Sequence, residues 1–145
     1  MKKKSSFEDN FLNLINNKKN KFHPLTWING KPKIGSGTYI GGFSIINAKD
    51  SLISIGKNCD IASFVSINVA DTHLKCIGKK KYKVTNKIVI EDNVFIGTHS
   101  AILGGSFIGR NSVVGAGTIV RGLKVPPYSL VVGNPPAIKK GYYKD

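Results

Sequence analysis

Acidic residues are scarce in this sequence, and so are cysteines and long apolar stretches. The chain has 8 Asp and Glu against 22 Lys and Arg, which gives a formal net charge of +14 over 145 residues. Such an excess of positive charge favours anionic partners, namely nucleic acid, an acidic membrane surface or a phosphorylated small molecule. Charge alone does not choose among these three classes.

The other two scarcities exclude two classes of protein. Two cysteines, Cys59 and Cys76, are too few for a disulfide scaffold, and no Cys-x-x-Cys pair is present. No stretch approaches the roughly 20 apolar residues that a helix needs to cross a bilayer, so stable membrane insertion is not expected. The basic start at residues 1–4 is not followed by the apolar run of a secretory signal. We therefore expect a cytoplasmic protein of one domain.

The most informative feature that is present is a repeat. An aliphatic residue returns every six positions, and a small or β-branched residue stands four positions after it. In extended chain, residues two apart face the same way, so the small residue and the next aliphatic residue point inward together. The aliphatic series is Ile90, Ile96, Ile102, Ile108, Val114 and Val120, and the small series is Val94, Ser100, Ser106, Ser112 and Thr118.

This six-residue period predicts a coil of short parallel strands with a corner in every repeat. A helix would carry the apolar stripe around its surface, and antiparallel hairpins would show turn signals at longer and less even spacing. The architecture that fits is the hexapeptide β-helix. Gly97, Gly109, Gly115, Asn93 and Asn111 recur near the corners, where these residue types tolerate a positive φ.

The period also divides the chain. Residues 1–33 are expected to form a short amphipathic helix, or a partly ordered arm, followed by a lead-in that covers the open end of the coil. Residues 34–125 are expected to form the coil, with an insertion at 72–87 that carries His73 and several lysines. Residues 126–145 begin with two prolines, which stop strand propagation, and are expected to form a cap and a basic tail. Cys59 falls at a small inward position, which predicts a buried thiol.

A coil of this length looks marginal on its own. Each turn buries only a few aliphatic side chains, worth about 25 cal/mol per Å², against ~1–2 kcal/mol of backbone entropy per residue. Association of several copies would add stability. Four phenylalanines at outward or corner positions are candidates for that interface: Phe43, Phe64, Phe95 and Phe107.

Three motifs resemble those of the hexapeptide-repeat acyltransferases, and the similarity covers roughly residues 34–140. They are Ile96-Gly97-Thr98-His99, Gly115-Ala116-Gly117-Thr118, and Val125-Pro126-Pro127 followed by Gly133-Asn134-Pro135. The pattern is closest to the small sugar O-acetyltransferases of the galactoside and maltose type and their polysaccharide-biosynthesis relatives. The resemblance implies an all-β, left-handed parallel β-helix and a homotrimer with active sites between subunits. It also implies acetyl-CoA as co-substrate and no metal.

The resemblance places the catalytic base at His73, in the insertion before the matching Thr98. Imidazole titrates near neutral pH and suits the removal of a proton from an acceptor that attacks a thioester. Asp71 is expected to orient His73 or to hold the acceptor, and His99 is the rival candidate for the base. The backbone N–H of Gly97 or Thr98 would hydrogen-bond the thioester oxygen as it becomes negative.

The resemblance also implies sites for the two substrates. Thr98 and Ala116 correspond to family contacts with acetyl-CoA, Arg121 and Gly122 to a Thr-Lys pair, and Lys140 to a terminal basic contact. The chain departs from the family where Gly122 replaces that lysine and where Ala137 replaces an arginine. Asn68 and Asp71 stand where relatives hold sugar hydroxyls, and the lysines of the insertion would suit a phosphorylated acceptor.

The expected function is therefore an acetyl-CoA-dependent O- or N-acetyltransferase that acts on a sugar or nucleotide-activated sugar in surface polysaccharide biosynthesis. One alternative is a non-enzymatic basic β-helix that binds nucleic acid, although aromatic residues are not interleaved with the basic ones as stacking would require. The other is a γ-type carbonic anhydrase. That enzyme needs three histidines around Zn²⁺, whereas His23, His73 and His99 are widely separated in the sequence.

Overall fold

The computed structural model describes residues 5–145. The chain consists mainly of strands of two or three residues, and successive strands belong to three sheets in the repeating order A, B, C. Sheet A contains, in spatial order, β1 (Trp27–Asn29), β4 (Ile45–Asn47), β7 (Ser66–Asn68), β12 (Ala101–Leu103) and β15 (Ile119–Arg121). Sheet B contains β2 (Lys33–Ile34), β5 (Ile53–Ile55), β10 (Ile88–Ile90), β13 (Phe107–Ile108) and β16 (Lys124–Val125). Sheet C contains β3 (Tyr39–Ile40), β6 (Asp60–Ile61), β11 (Phe95–Ile96), β14 (Val113–Val114), β17 (Leu130–Val132) and β18 (Ala137–Lys139).

Two helices and two strands lie outside these three sheets. Helix α1 (Phe7–Leu14) precedes the coil, and helix α2 (His73–Cys76) stands in the insertion. The strands β8 (Ala70–Asp71) and β9 (Val84–Thr85) form an antiparallel pair at the base of the insertion. We call residues 72–87 the flap.

The repeat sets the register of the coil. Ile102 of β12 lies between Ile67 and Val120 of the neighbouring strands; both pairings are parallel, and all three side chains are buried. The aliphatic residues of the repeat have essentially no exposed surface and form one continuous core. The predicted all-β parallel β-helix is therefore confirmed.

The small inward residues hold successive turns together. The buried hydroxyl of Ser100 donates to the carbonyl of Gly115 (2.9 Å) and accepts from the N–H of Thr118 (3.3 Å) on the next turn. Ser112 makes the same two kinds of bond, to Pro126 and from Ser129. A small polar side chain at this position satisfies backbone groups that the corner leaves out of the sheets.

The glycines of the repeat have a different role from the one expected. Gly97 and Gly109 do not have a positive φ, although the sequence suggested that they would. A Cβ at Gly97 would stand 2.5 Å from the backbone nitrogen of Ala116, and one at Gly109 would stand 2.4 Å from that of Pro127. Close stacking of the turns therefore requires these glycines. Asn93 and Asn111 do adopt the predicted positive φ, at 56° and 57°.

The coil extends beyond the boundaries that the hexads suggested. Its first strand is β1 at Trp27–Asn29, which pairs in parallel with β4, so part of the predicted lead-in is already a turn of the coil. At the other end, β17 continues sheet C past the two prolines, and β18 then reverses to pair with β17 in antiparallel. Helix α1 packs through the buried Leu12 and begins with a capping box between Ser6 and Asp9.

Aromatic side chains form a column on the corner between sheets C and A. The rings of Phe43 and Phe64 stack with centroids 5.0 Å apart, and His99 continues the stack at 5.1 Å from Phe64. All three residues have a positive φ, which is uncommon for bulky side chains. Phe43, Phe64 and the neighbouring Trp27 are each about half exposed, so this corner presents an apolar surface.

The two thiols should differ sharply in reactivity. Cys59 is buried as predicted, its Sγ lies 3.2 Å from the carbonyl oxygen of Glu91, and burial raises the pKa of its thiol. Cys76 is exposed on α2. Because the thiolate is the reactive form, we expect an aromatic disulfide reagent to modify Cys76 alone in the native protein and both cysteines in denaturant. Rapid native modification of both, measured by mass, would contradict this burial.

Within residues 5–145, none of the helices has the length and apolar character that a membrane crossing would require.

Candidate active site

The flap projects from the corner between sheets A and B and runs from the end of β8 to the start of β10. Its base is held by the β8–β9 pairing and by an ion pair of Lys83 with Asp50, 2.5 Å between Nζ and Oδ2. Lys75, Lys79, Lys80 and Lys81 are exposed on the flap, as expected of lysines available to an anion. A cavity of about 300 Å³ lies under the base of the flap. Its lining residues are Val69, Ala70, Asp71, Asn86, Leu103, Gly104, Arg121 and Gly122.

Asp71 lies at the centre of a three-residue cluster. One carboxylate oxygen accepts from Nδ1 of His73, and the other accepts from Nη2 of Arg121, which is 50 residues further along the chain. The hydrogen bond from His73 is the largest of the effects that hold the pKa of Asp71 below its ordinary value, and the charge of Arg121 adds to it. The carboxylate therefore stays ionised at neutral pH. The stability that the ionised Asp71 contributes is fully present above the pKa of this carboxyl in the unfolded chain. It is lost as the pH falls through the lower pKa that the carboxyl has in the folded chain.

The cluster fixes which nitrogen of His73 is available for chemistry. An ionised carboxylate only accepts hydrogen bonds, so Nδ1 of His73 must carry the proton that it shares with Asp71. In the neutral ring, Nε2 then has a free lone pair. The side chain of His73 is 56% exposed, which leaves that lone pair accessible to a substrate.

Two residues predicted to bind substrates have hydrogen-bonding partners within the chain. Arg121, which was predicted to contact acetyl-CoA, forms an ion pair with Asp71. Asn68, predicted to hold the acceptor, is part of an asparagine ladder, because its Oδ1 accepts from Asn47 (3.0 Å) and from the N–H of Ala70 (3.0 Å). Asn47 in turn accepts from Asn29 (3.1 Å).

The predicted residues Gly97, Thr98, His99 and Ala116 lie on the corner between sheets C and A, whereas Gly122 lines the cavity under the flap. Gly97 and Gly115 donate their N–H groups to Val114 and Val131, both at 2.8 Å, so the Gly97 N–H is not available to a thioester oxygen. Within residues 5–145, the N–H groups of Thr98 and Ala116 donate to no acceptor. These two N–H groups lie on the corner between sheets C and A, in successive turns of the coil.

The hydrogen bonds of Thr98 determine the tautomer of His99. The Thr98 hydroxyl donates its single proton to the carbonyl of Ser63 at 2.7 Å, since a carbonyl oxygen can only accept. The 2.9 Å contact with Nδ1 of His99 must then be a hydrogen bond donated by that nitrogen. His99 therefore also has a free Nε2, but it has the hydroxyl of Thr98 on Nδ1 where His73 has a carboxylate.

A single chain does not bring these groups together. His73 and Asp71 lie at the A–B corner, whereas Thr98 and Ala116 lie at the C–A corner. The intervening strand β12 has three residues, which span about 10 Å at 3.3 Å per residue. Lys140 also lies apart from Ala116. It follows β18 at the end of sheet C next to Tyr128, whereas Ala116 lies at the other end of that sheet.

The three histidines occupy three separate places. His23 supports the lead-in through a 3.0 Å bond from the N–H of Leu25, His73 stands on the flap, and His99 belongs to the aromatic column. In the part of the chain that is described, no three His, Cys, Asp or Glu side chains converge as metal ligands would. The three-histidine site of a carbonic anhydrase is therefore not formed within one chain.

Comparisons with known proteins agree with this architecture. A sequence model described as "Hexapeptide repeat of succinyl-transferase" matches residues 87–121. The galactoside O-acetyltransferase of Escherichia coli K12 is 33% identical over 125 residues, which cover 77% of this chain and 61% of that enzyme. The bifunctional protein GlmU of Wigglesworthia glossinidia brevipalpis is 35% identical over 104 residues, or 67% of this chain and 22% of that protein. The chain thus spans less than two thirds of these curated relatives.

A solved structure extends the similarity to the fold. The hexapeptide-repeat acetyltransferase of Vibrio cholerae, solved with acetyl coenzyme A, superposes with a TM-score of 0.74 and 29% sequence identity. The match covers 89% of this chain and 70% of that one. Residues 87–121 thus carry the hexapeptide repeat, and the three-sheet coil has the fold of a hexapeptide-repeat acetyltransferase.

Proposed function

We propose that this chain is an acetyl-CoA-dependent O- or N-acetyltransferase that acts on a sugar or nucleotide-activated sugar, with His73 as the general base. The observation that carries the proposal is the pairing of Asp71 with His73, which leaves an accessible lone pair on Nε2. Two of the named relatives support it, because one is a galactoside O-acetyltransferase and the other is an acetyltransferase solved with acetyl coenzyme A.

The reaction needs no covalent intermediate on the protein. Nε2 of His73 accepts the proton of the acceptor hydroxyl or amine while the acceptor atom attacks the thioester carbonyl carbon. The carbon–sulfur bond then breaks, and the imidazolium returns its proton to the departing thiolate. Asp71 stabilises the transient positive charge on the ring. In this proposal the N–H of Thr98 or Ala116 donates to the oxygen that becomes negative in the transition state.

This assignment requires two copies of the chain, because the base and the C–A corner lie apart in one copy. We propose a homotrimer in which the flap of one subunit reaches the C–A corner of the next. The exposed aromatic column beside Thr98 supports this arrangement, since an apolar corner is stabilised when a neighbour covers it. The small side chain of Ala116, together with Gly117, where an added Cβ would meet no atom within 4 Å, leaves room for the thin pantetheine arm of acetyl-CoA.

The lysines of the flap suit an anionic acceptor. Lys83 pairs with Asp50, whereas the other flap lysines lie in a segment, residues 72–87, that has no acidic residue. A diphosphate linked to the sugar would pair with them. Polysaccharide precursors are activated in this way, which agrees with the family resemblance of the motifs.

Turnover tests the activity. We expect release of coenzyme A from acetyl-CoA to depend on a sugar acceptor and to be faster with a diphosphate-linked sugar than with the same free sugar. Coenzyme A should be measured by chromatography, because Cys76 would itself consume a thiol reagent. If no acceptor in a panel of hydroxy and amino sugars stimulates release, the proposed function is wrong.

Complementation tests the location of the site. His73→Ala and Ala116→Trp should each be inactive, the second because the indole fills the corner. When equal amounts of the two variants assemble at random into trimers, about one quarter of all sites between neighbours combine a wild-type His73 with a wild-type Ala116. We therefore expect about one quarter of wild-type turnover after co-refolding. No recovery in mixed trimers of confirmed composition would place the whole site within one chain.

A further inference from the structure

We propose that Arg121 is a positioning residue for His73, acting through Asp71, and not a contact for the phosphates of acetyl-CoA. This inference rests on the proposed function for its kinetic consequences. Its geometric basis is independent of that function, because the three side chains are already joined in the structure.

The first argument concerns where the cluster is anchored. His73 and Asp71 belong to the flap and its base, which is attached to the coil through the two-residue strands β8 and β9. Arg121 belongs to β15, where its backbone is held in sheet A in register with Leu103. The Arg121–Asp71 ion pair therefore ties the carboxylate that orients His73 to the rigid part of the molecule.

The second argument concerns how the carboxylate is shared. Oδ1 of Asp71 accepts from Nδ1 of His73, while Oδ2 accepts from Arg121. With Oδ2 held, rotation of the carboxylate about its own axis is restricted, and Oδ1 stays directed at the imidazole. The planar guanidinium suits this role, because its donors have fixed directions.

The third argument concerns charge. The charged groups near His73 are Asp71 and Arg121 in the cluster, Lys75 on the same helix, and the Lys83–Asp50 pair at the flap base. Arg121 is cationic at all accessible pH values, so it offsets part of the attraction between Asp71 and an imidazolium. Removing it would favour the protonated ring, which cannot act as a base.

The experiment compares Arg121→Ala, Arg121→Lys and the control Arg110→Ala. Arg110 lies on the B–C corner, with its guanidinium 5.9 Å from the ring centroid of Tyr128, away from the flap. For Arg121→Ala we expect kcat to fall about tenfold, with KM for acetyl-CoA within about twofold of wild type. The acid limb of the pH profile of kcat/KM should move to higher pH by about 0.5–1 unit.

The conservative variant separates charge from geometry. Arg121→Lys should restore the acid limb, because the charge is present, but should recover only part of kcat, because the ammonium lacks the planar donors. Arg110→Ala should behave like wild type. A tenfold rise in KM for acetyl-CoA with unchanged kcat would instead make Arg121 a phosphate contact, and unchanged kinetics would remove any role.

A measurement without turnover distinguishes failure of this inference from failure of the proposed function. Nitrogen-15 NMR of the imidazole reports the protonated nitrogen of His73 and its titration midpoint. We expect a raised midpoint and less of the Nδ1–H form in Arg121→Ala. That result in a protein without acetyl transfer would retain the positioning role and reject the function. Acetyl transfer with an unchanged spectrum would reject the positioning role and retain the function.

Discussion

Replacing His73 with glutamine is expected to lower acetyl-CoA turnover by about 10²–10⁴-fold, which is the range for loss of a general base. Glutamine has a similar length and polarity but cannot accept a proton at neutral pH. Its side chain amide can still donate to Asp71, so the cluster and the flap should persist. Binding of acetyl-CoA, measured by calorimetry, should change little because the C–A corner is untouched.

The matched control is His99→Asn. Asparagine tolerates the positive φ of 58° at this position, so the substitution removes the imidazole without straining the corner. Since Nδ1 of His99 donates to Thr98 and not to a carboxylate, we expect a loss of less than about tenfold. If the two variants exchange these results, His99 is the base and the flap histidine serves another purpose.

The second large effect is expected in the core. Ile102→Ala should reduce the free energy of unfolding by about 2–5 kcal/mol, the usual cost of truncating a buried isoleucine. Ile102 has no exposed surface and stacks between Ile67 and Val120 in the middle of sheet A. The turns above and below are fixed by their own ladders, so the cavity cannot close. Urea unfolding followed by circular dichroism, at one fixed protein concentration, measures the change.

The adjacent Leu103→Ala provides the comparison. Leu103 is on the same strand but is only half buried and faces outward, beside the cavity under the flap. Its truncation should cost less than about 1.5 kcal/mol, because part of its surface already contacts water. Equal losses for the two variants would contradict an inward–outward alternation in β12.

The coil was predictable because one physical constraint repeats. On each of its three sides, a turn of the coil buries one aliphatic residue and one small residue. The same requirement therefore returns at every strand from Ile90 to Val120. The same six-residue period predicts the burial of Cys59, which falls at a small inward position, and the position of the flap, where the period is interrupted. The earliest strand, Trp27–Asn29, lies before the hexads begin, so no period indicated it.

Two features of the corners were not accessible from the sequence. Gly97 is required by the approach of Ala116 on the next turn, and this contact exists only once the turns are stacked. Phe43 and Phe64 adopt a positive φ that their residue type disfavours. The stacking of their rings accompanies this conformation, and it depends on the spacing between turns.

The candidate site was predicted in part. His73 and Asp71 are two residues apart, so their pairing could be expected from local chemistry. The contact of Asp71 with Arg121 joins positions 50 residues apart, and it depends on β15 lying two strands from β7 in sheet A. The resemblance predicted a ligand contact for Arg121, and nothing in the sequence indicated that Asp71 lies beside it in the folded chain.

The reversal at β18 has a consequence for assembly. A parallel coil ends in unpaired strands that would accept another molecule and so could grow lengthwise into a fibre. In sheet C, Ala137–Lys139 fills that position with a strand running the opposite way, and it presents Lys139 at its outer end. The edge of β17 is therefore already paired, so a second copy cannot extend sheet C lengthwise by adding a parallel strand to β17.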